Sequence, residues 1–184
     1  MEEADETLMR RVARGDQEAC RALVERHLGR IVAFAARTLG NATDAEDVAQ
    51  EVFLRLWTNA RRWEPRARLG TWLHRIALNL CLDRIARRRE APLDAAPEPV
   101  DPAPSVVTLL ERAALGQRVN AELAALPTQQ RIAIVLCHYQ GLRNIEAAEV
   151  MDVSVEALES LLARGRRTLR MRLRTIAAEL LGEG

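Results

Sequence analysis

The sequence has no lysine: all 27 of its cationic side chains are arginine. Codon bias in a GC-rich genome is the simplest account, with selection for bidentate phosphate contacts as the alternative. Cysteine is scarce too. Cys20, Cys81 and Cys137 are odd in number and show no CxxC spacing, which argues against both a disulfide framework and a structural zinc site. They read as small interior hydrophobes. Cys20 and His27, like His74 and Cys81, stand seven residues apart, roughly 10 Å along a helix and too far to share one metal. No metal or other cofactor is expected. Long hydrophobic runs are missing, since none approaches the ~18 residues of a membrane span, and the opening MEEADET is acidic where a secretory signal begins positive. A cytoplasmic protein without membrane insertion is expected. Strict alternation is absent as well, while apolar positions recur at helical spacing almost throughout, so the expected fold class is all-α.

Proline, by contrast, is concentrated. Glu90 to Ser105 (EAPLDAAPEPVDPAPS) holds five of the seven prolines, with four acids and no arginine. It divides the chain into two halves near the lower end of domain size. The organisation expected is a first domain over 1–89, a flexible acidic linker over 90–105 and a second domain over 106–184. The net charge of +1 averages very unlike segments: residues 61 to 90 carry nine arginines against three acids, residues 164 to 174 six arginines and no acid, and the first fifty-four residues eleven acids against seven arginines. Two separated cationic stretches suit a long anionic object gripped at two places, and DNA is the obvious one.

In the first half, Asp16 can cap a helix running to Leu39, with Leu23, His27, Leu28, Ile31 and Ala35 on one face and Gly40-Asn41 as its stop. Thr43-Asp44-Ala45-Glu46 has capping-box spacing. It opens a helix through Trp57 whose inner face is Ala45, Val48, Val52, Phe53 and Leu56. Residues 60 to 70 read as a basic loop, broken by Pro65 and Gly70, with Trp63 among Arg61, Arg62, Arg66 and Arg68. Helix resumes from Thr71 to Arg88. Its stripe of Trp72, Leu73, Ile76, Ala77 and Leu80 leaves Arg75, Asn79, Asp83 and Arg87 on another face. Trp57 and Trp72 read as core. The second half predicts helices over 106–126 and 127–139, a short helix from Ile145 to Met151, a turn at Asp152-Val153, and a long helix capped by Ser154.

Three constellations bear on function. The last pair of helices has helix-turn-helix grammar, which lets the second helix lie in a major groove with its arginines along phosphates; a helical hairpin with a solvated basic helix is the plainer alternative. Trp63 among guanidinium groups suits an unpaired base stacked on the ring, or else a loop anchor. Asp44, Glu46, Asp47 and Glu51 complement a helix dipole or form a protein-docking face. They lack a neighbouring base or nucleophile, and no convergent catalytic set exists elsewhere, so an enzyme is not indicated.

The segments DAEDVAQEVFLRLW (Asp44 to Trp57), TWLHRIALNLCLDRIARRR (Thr71 to Arg89) and LPTQQRIAIVLCHYQGL leading into the helix-turn-helix resemble the bacterial sigma-70 family, extracytoplasmic-function group. The resemblance covers nearly the whole chain apart from the linker. It implies a non-catalytic transcription initiation subunit whose first half melts and reads the minus-ten element and whose second half reads the duplex minus-thirty-five element. It implies that Asp44, Glu46, Asp47, Gln50, Glu51, Leu54 and Trp57 dock on the clamp helices of the largest subunit of core RNA polymerase. Arg61, Arg62, Trp63, Arg66, Arg68, Arg75, Asn79, Asp83, Arg84, Arg87 and Arg88 would meet minus-ten DNA, a flipped base being held near Trp63 and Asn79. Arg143, Ser154, Glu156, Glu159, Ser160, Ala163, Arg164 and Arg167 would meet minus-thirty-five DNA. The acidic linker would thread through polymerase near the active site and RNA exit channel. An anti-sigma factor would be a further partner, and the protein would be cytoplasmic and nucleoid-associated.

The recognition helix departs from the family pattern. Glu159 stands where relatives commonly carry a cation, Leu161 where an arginine is customary, and Glu156 adds an acid; Asp152 replaces a glycine often found in the turn. A glutamate can accept from a cytosine amino group, so the preferred element is expected to differ unless both acids face away. A stand-alone helix-turn-helix regulator is the alternative reading. A tether of about 16 residues reaches roughly 50 Å and is not stiff, so the spacing of the two halves is expected to be set by a larger scaffold such as polymerase core.

Overall fold

Side-chain caps mark the starts of the helices that open after Asp16, Asn41 and Ser154 in this chain. In the computed structural model, which describes residues 3–90 and 107–181 and the side chains of 3–90 and 116–174, four helices form the first half: α1 (Asp5–Val12), α2 (Gln17–Leu39), α3 (Ala42–Asn59) and α4 (Leu69–Glu90), with a 3₁₀ turn at Ala60–Arg62. The second half contains α5 (Val107–Ala124), α6 (Thr128–Ile134) running on into a π-helical segment (Val135–Tyr139), α7 (Asn144–Met151) and α8 (Val155–Leu181). The all-α expectation holds, with no strand among the described residues. The expected linker, apart from Glu90, lies outside the described residues.

Asp16 starts α2 as expected, its Oδ1 accepting from the backbone N–H of Glu18 at 3.0 Å and of Ala19 at 3.1 Å. These bonds, that from Ala19 foremost, and the Arg11 guanidinium hold the Asp16 carboxyl below the usual carboxylate range. Gly40, at φ 69°, ends α2 in the left-handed conformation that costs glycine nothing. The capping-box expectation for α3 is corrected: Asn41 is the cap, its Oδ1 accepting from the Asp44 N–H at 2.9 Å. The left-handed turn at Gly40 delivers Asn41 in extended backbone, the geometry a cap requires, and asparagine ranks with the best capping residues. Helix α4 starts at Leu69, two residues earlier than expected, with Leu69 buried and the Arg68 carbonyl accepting from the Trp72 N–H at 3.1 Å.

The first core collects Leu8, Met9 and Val12 from α1, Leu23, Ile31 and Phe34 from α2, Val48, Val52 and Leu56 from α3, and Leu73 and Ala77 from α4. Two apolar expectations fail. Leu28 is 41% exposed and Trp57 38% exposed. Each follows directly on a buried residue, His27 or Leu56, and one step of about 100° turns it out of the inward stripe. Trp72 and Ile76 are half-buried at the edge of theirs. The one element with no counterpart in the sequence reading is α1.

In the second half α6 and α8 cross closely at Gly165. A Cβ there would fall 2.7 Å from Ile134 Cδ1 and 3.3 Å from Gln130 Cβ. The π-helical segment is marked by the bond from Gln140 N–H to Val135 O at 3.0 Å, a step of five residues.

The halves pack directly on each other, which differs from the expectation that only an external scaffold sets their spacing. Helix α7 lies against α4, and α2 meets α5 and the π-helical segment. The Arg30 guanidinium donates to the Gln140 carbonyl, and Arg37 stands 4.6 Å from the centre of the Tyr139 ring. The buried faces of α7 are mainly alanine, so no apolar stripe announced this contact in the sequence.

Candidate nucleic-acid and protein-docking surfaces

Three surfaces emerge. On α3 the acids sit where the buried stripe leaves room, with Glu46, Asp47, Gln50 and Leu54 exposed. Leu54 is 56% exposed, a large apolar side chain on a polar face. Asp47, Gln50, Glu51, Leu54 and Arg55 of α3 line a groove of about 620 Å³ with Leu80, Arg84 and Arg87 of α4. Glu51 pairs with Arg55 at 2.7 Å. Trp57 borders a neighbouring depression with Cys20 and Val24 of α2. Asp44 turns to Arg88 in an ion pair, and Arg88 also donates to the Leu39 carbonyl at 3.2 Å. The expected docking set therefore forms two adjoining patches, with Asp44 at their margin.

The basic loop folds into a cavity of about 660 Å³ lined by Asn59, Arg62, Trp63, Glu64, Arg66, Ala67, Thr71, Trp72, Arg75 and Glu149. Trp63 and Trp72 are both half-buried against the core, each offering part of a ring to it. Of the residues expected to meet minus-ten DNA, the structure brings Arg62, Trp63, Arg66 and Arg75 together here. Arg61 turns away and donates to the Ala13 carbonyl at 3.2 Å. Arg68 lies 3.4 Å from Glu146. Asn79 and Asp83 are exposed along α4 and do not line the cavity, Asn79 standing about one turn beyond Arg75 on the helix. Arg84 and Arg87 belong to the α3–α4 groove. Sequence reasoning missed Asn59, Thr71 and Glu149, the last from the other half of the chain.

The third surface is the helix-turn-helix. Ser154 caps α8 as expected, its hydroxyl oxygen accepting from the Ala157 N–H at 3.1 Å. Glu156, Glu159, Ser160, Ala163, Arg164 and Arg167 are all exposed on α8, and their spacing of three and four residues places them on neighbouring rows. The Glu156 carboxyl is held below its usual range by its own backbone N–H and then by the Ser154 hydroxyl. Asn144, which the sequence did not single out, donates to Glu159 at 3.2 Å. Arg143 is exposed beside the start of α7, where Glu146 accepts from its backbone N–H at 2.9 Å and its guanidinium at 3.1 Å; the Arg143 side chain, foremost, holds the Glu146 carboxyl low. Asp152 ends α7 at φ 56° and ψ 46°, a left-handed position that aspartate adopts more readily than most residues.

Behind these surfaces lies a buried polar junction. Asp5 pairs with Arg26 and, at 2.8 Å, with His27 Nε2. His74 Nδ1 is 2.7 Å from the Gly70 carbonyl it donates to, and burial pushes the His74 pKa down. Among the described residues no cluster of His, Cys, Asp and Glu could hold a metal ion, and no helix is long and apolar enough to cross a membrane.

Comparison with known proteins agrees with this layout. The sigma-70 region 2 profile matches residues 23–91 and the sigma-70 region 4 profile residues 116–169. An extracytoplasmic-function RNA polymerase sigma factor, SigW of Bacillus subtilis, is 32% identical over 183 residues, covering 91% of this chain and 96% of its own. SigE of Mycolicibacterium smegmatis is 38% identical over 165 residues, 86% of this chain but only 64% of that longer relative. Among solved structures, CnrH in complex with the cytosolic domain of CnrY superposes with a TM-score of 0.69 at 33% identity, over 94% of this chain and 99% of that one.

Proposed function

Because the chain belongs to the extracytoplasmic-function group of the sigma-70 family, we propose that it binds core RNA polymerase and directs promoter recognition and opening, without chemistry of its own. The observation that carries this is the presence on one polypeptide of an acid-rimmed groove with an exposed leucine, a tryptophan-and-arginine cavity, and a helix-turn-helix with an exposed polar face. In this reading the α3 groove docks on the clamp helices of the largest subunit. The cavity around Trp63 takes an unpaired base of the minus-ten element, because a ring stacks on any base while Arg62, Arg66 and Arg75 follow the backbone. The α8 face reads the minus-thirty-five duplex, with Arg143, Arg164 and Arg167 on phosphates and Glu159 at a base edge. Residues 1–89 and 106–184 act as the two working units and 90–105 as the strand threaded through polymerase. An anti-sigma factor holds the protein in check, and the active complex is cytoplasmic and nucleoid-associated.

Run-off transcription with purified core polymerase on a selected promoter library tests the reading. Promoter-specific transcripts that require this chain are expected. A chain that binds duplex DNA tightly by itself and never associates with core polymerase would instead be a stand-alone regulator.

A further inference from the structure

We infer that Asn144 is a positioning residue for readout of the upstream element: from the start of α7 it aims the Glu159 carboxylate of α8, and thereby sets how strongly one base is selected. The inference rests on the reading of α8 as the helix that meets minus-thirty-five DNA. Asn144 Nδ2 donates to Glu159 Oε1 at 3.2 Å, across fifteen residues of chain. The other end of the same amide, Oδ1, lies 3.9 Å from Cys137 Sγ in the π-helical segment, with the thiol donating. A carboxylate only accepts, and the amide oxygen is the only end that accepts from a thiol, so both neighbours favour the same orientation of the amide. Burial pushes the Cys137 pKa up despite the nearby charge of Arg166, so the thiol keeps the proton it donates.

Asn144 is not needed to start the helix it opens. The cap of α7 is Arg143, and Glu146 accepts from both the backbone N–H and the guanidinium of Arg143. Asn144 is itself exposed, and its side chain binds two other elements instead.

Two acids stand on this part of α8, and they are held differently. The Glu156 carboxyl bonds to its own backbone N–H and to the Ser154 hydroxyl, within the first turn. Glu159 is tied to α7. A glutamate on an exposed helix face otherwise moves among many rotamers, and that freedom is lost when it meets a base. A neighbour that restricts it in the free protein removes part of that cost before DNA arrives. A carboxylate has about four acceptor sites, so the bond to Asn144 leaves room for a donor from DNA. In the major groove the donors are the cytosine and adenine amino groups, whereas guanine O6 and N7 and thymine O4 only accept and are disfavoured.

The test uses holoenzyme assembled from purified core polymerase and the full-length chain, as parent, N144A, E159A or the double variant. Run-off transcription on a promoter library randomised across the upstream element gives the base preference at each position, and a thermal melt of each free chain monitors folding. N144A is expected to lower the preference about three- to tenfold at the same single position that E159A alters. The other positions and the melt should stay as in the parent, and N144A should add nothing in the E159A background. A change in N144A at a different position, or a further loss in the double variant, would make Asn144 a direct DNA contact and overturn the inference. Losses spread evenly over all positions, with a lowered melt, would make Asn144 structural and overturn it too. An unchanged preference in N144A beside an altered one in E159A would overturn the positioning role and leave the reading of α8 intact. A library indifferent to both variants would overturn the positioning role and the part given to Glu159 together.

Discussion

The Asn144 side-chain amide donates to the Glu159 carboxylate at 3.2 Å, joining the first residue of α7 to the opening turns of α8. Glu159 is thus held by a residue outside its own helix while it stays exposed. In the proposed reading this carboxylate accepts from a cytosine amino group at a base edge. Replacing Glu159 with alanine should relax selection at one position of the upstream element by about 1–3 kcal/mol. Library run-off with the variant checks it, and an unaltered consensus would remove Glu159 from the reading set.

Trp63 stands half-buried at the cavity mouth with Arg62, Arg66 and Arg75. Trp63→Ala should lower open-complex formation by the value of one stacked base, about 1–3 kcal/mol, and leave duplex affinity nearly as it was. Permanganate footprinting against duplex anisotropy separates the two. Equal loss in both measurements would make the ring a loop anchor.

Leu54 presents a large apolar side chain to solvent beside Asp47 and Gln50. A Leu54→Asp change should weaken core polymerase binding more than tenfold while altering folding stability by no more than about 0.5 kcal/mol, as exposed sites do. Native-gel titration and a thermal melt provide both numbers. Retained core binding would relocate the docking face.

At Gly165 the backbone of α8 approaches Ile134 so closely that even a methyl group requires Ile134 to give way. Gly165→Val should destabilise the second half by about 1–3 kcal/mol through overpacking. For Gly165→Ala, a helix-propensity gain of about 1 kcal/mol offsets part of the cost. Chemical denaturation ranks the pair, and a valine variant as stable as the parent would show that the crossing is loose.

His74 is buried, and that burial lowers its pKa against the opposing hydrogen bonds to the Gly70 carbonyl and the Gln140 side chain. The unfolded chain therefore binds a proton that the folded chain resists. Stability is full above the unfolded value of about 6.5 and falls as pH drops below it toward the depressed folded value. Melting temperature measured from pH 7.5 to 5.5 should decline, and the decline should be shallower in His74→Gln. Parallel curves for the two proteins would assign the acid sensitivity to other groups.

Much of this architecture was readable in advance, for identifiable reasons. Helix existence followed from period, the starts at Asp16 and Ser154 from side-chain oxygens that accept from backbone N–H groups, and the stops at Gly40 and Asp152 from residue types that enter left-handed backbone readily. The cap of α3 was misread because Asn41 and Thr43 are both good caps and only the backbone delivered by Gly40 favours the former. Trp57 was misassigned because hydrophobicity alone does not tell the last inward position from the first outward one. Of the residues lining the Trp63 cavity, Arg62, Trp63, Arg66 and Arg75 were recognisable by composition, whereas Glu149 comes from the other half of the chain. No local pattern encodes a contact between alanine-rich α7 and α4. Tertiary packing decides it.

The widened helical turn between Val135 and Tyr139 fixes more than local geometry. An extra residue accommodated there rotates everything downstream by about 100° relative to an uninterrupted α-helix. Tyr139 and Gln140 thereby meet Arg37 and Arg30. Removing one residue from that segment would turn Tyr139 and Gln140 out of this register, so the contacts with Arg37 and Arg30 depend on the widened turn.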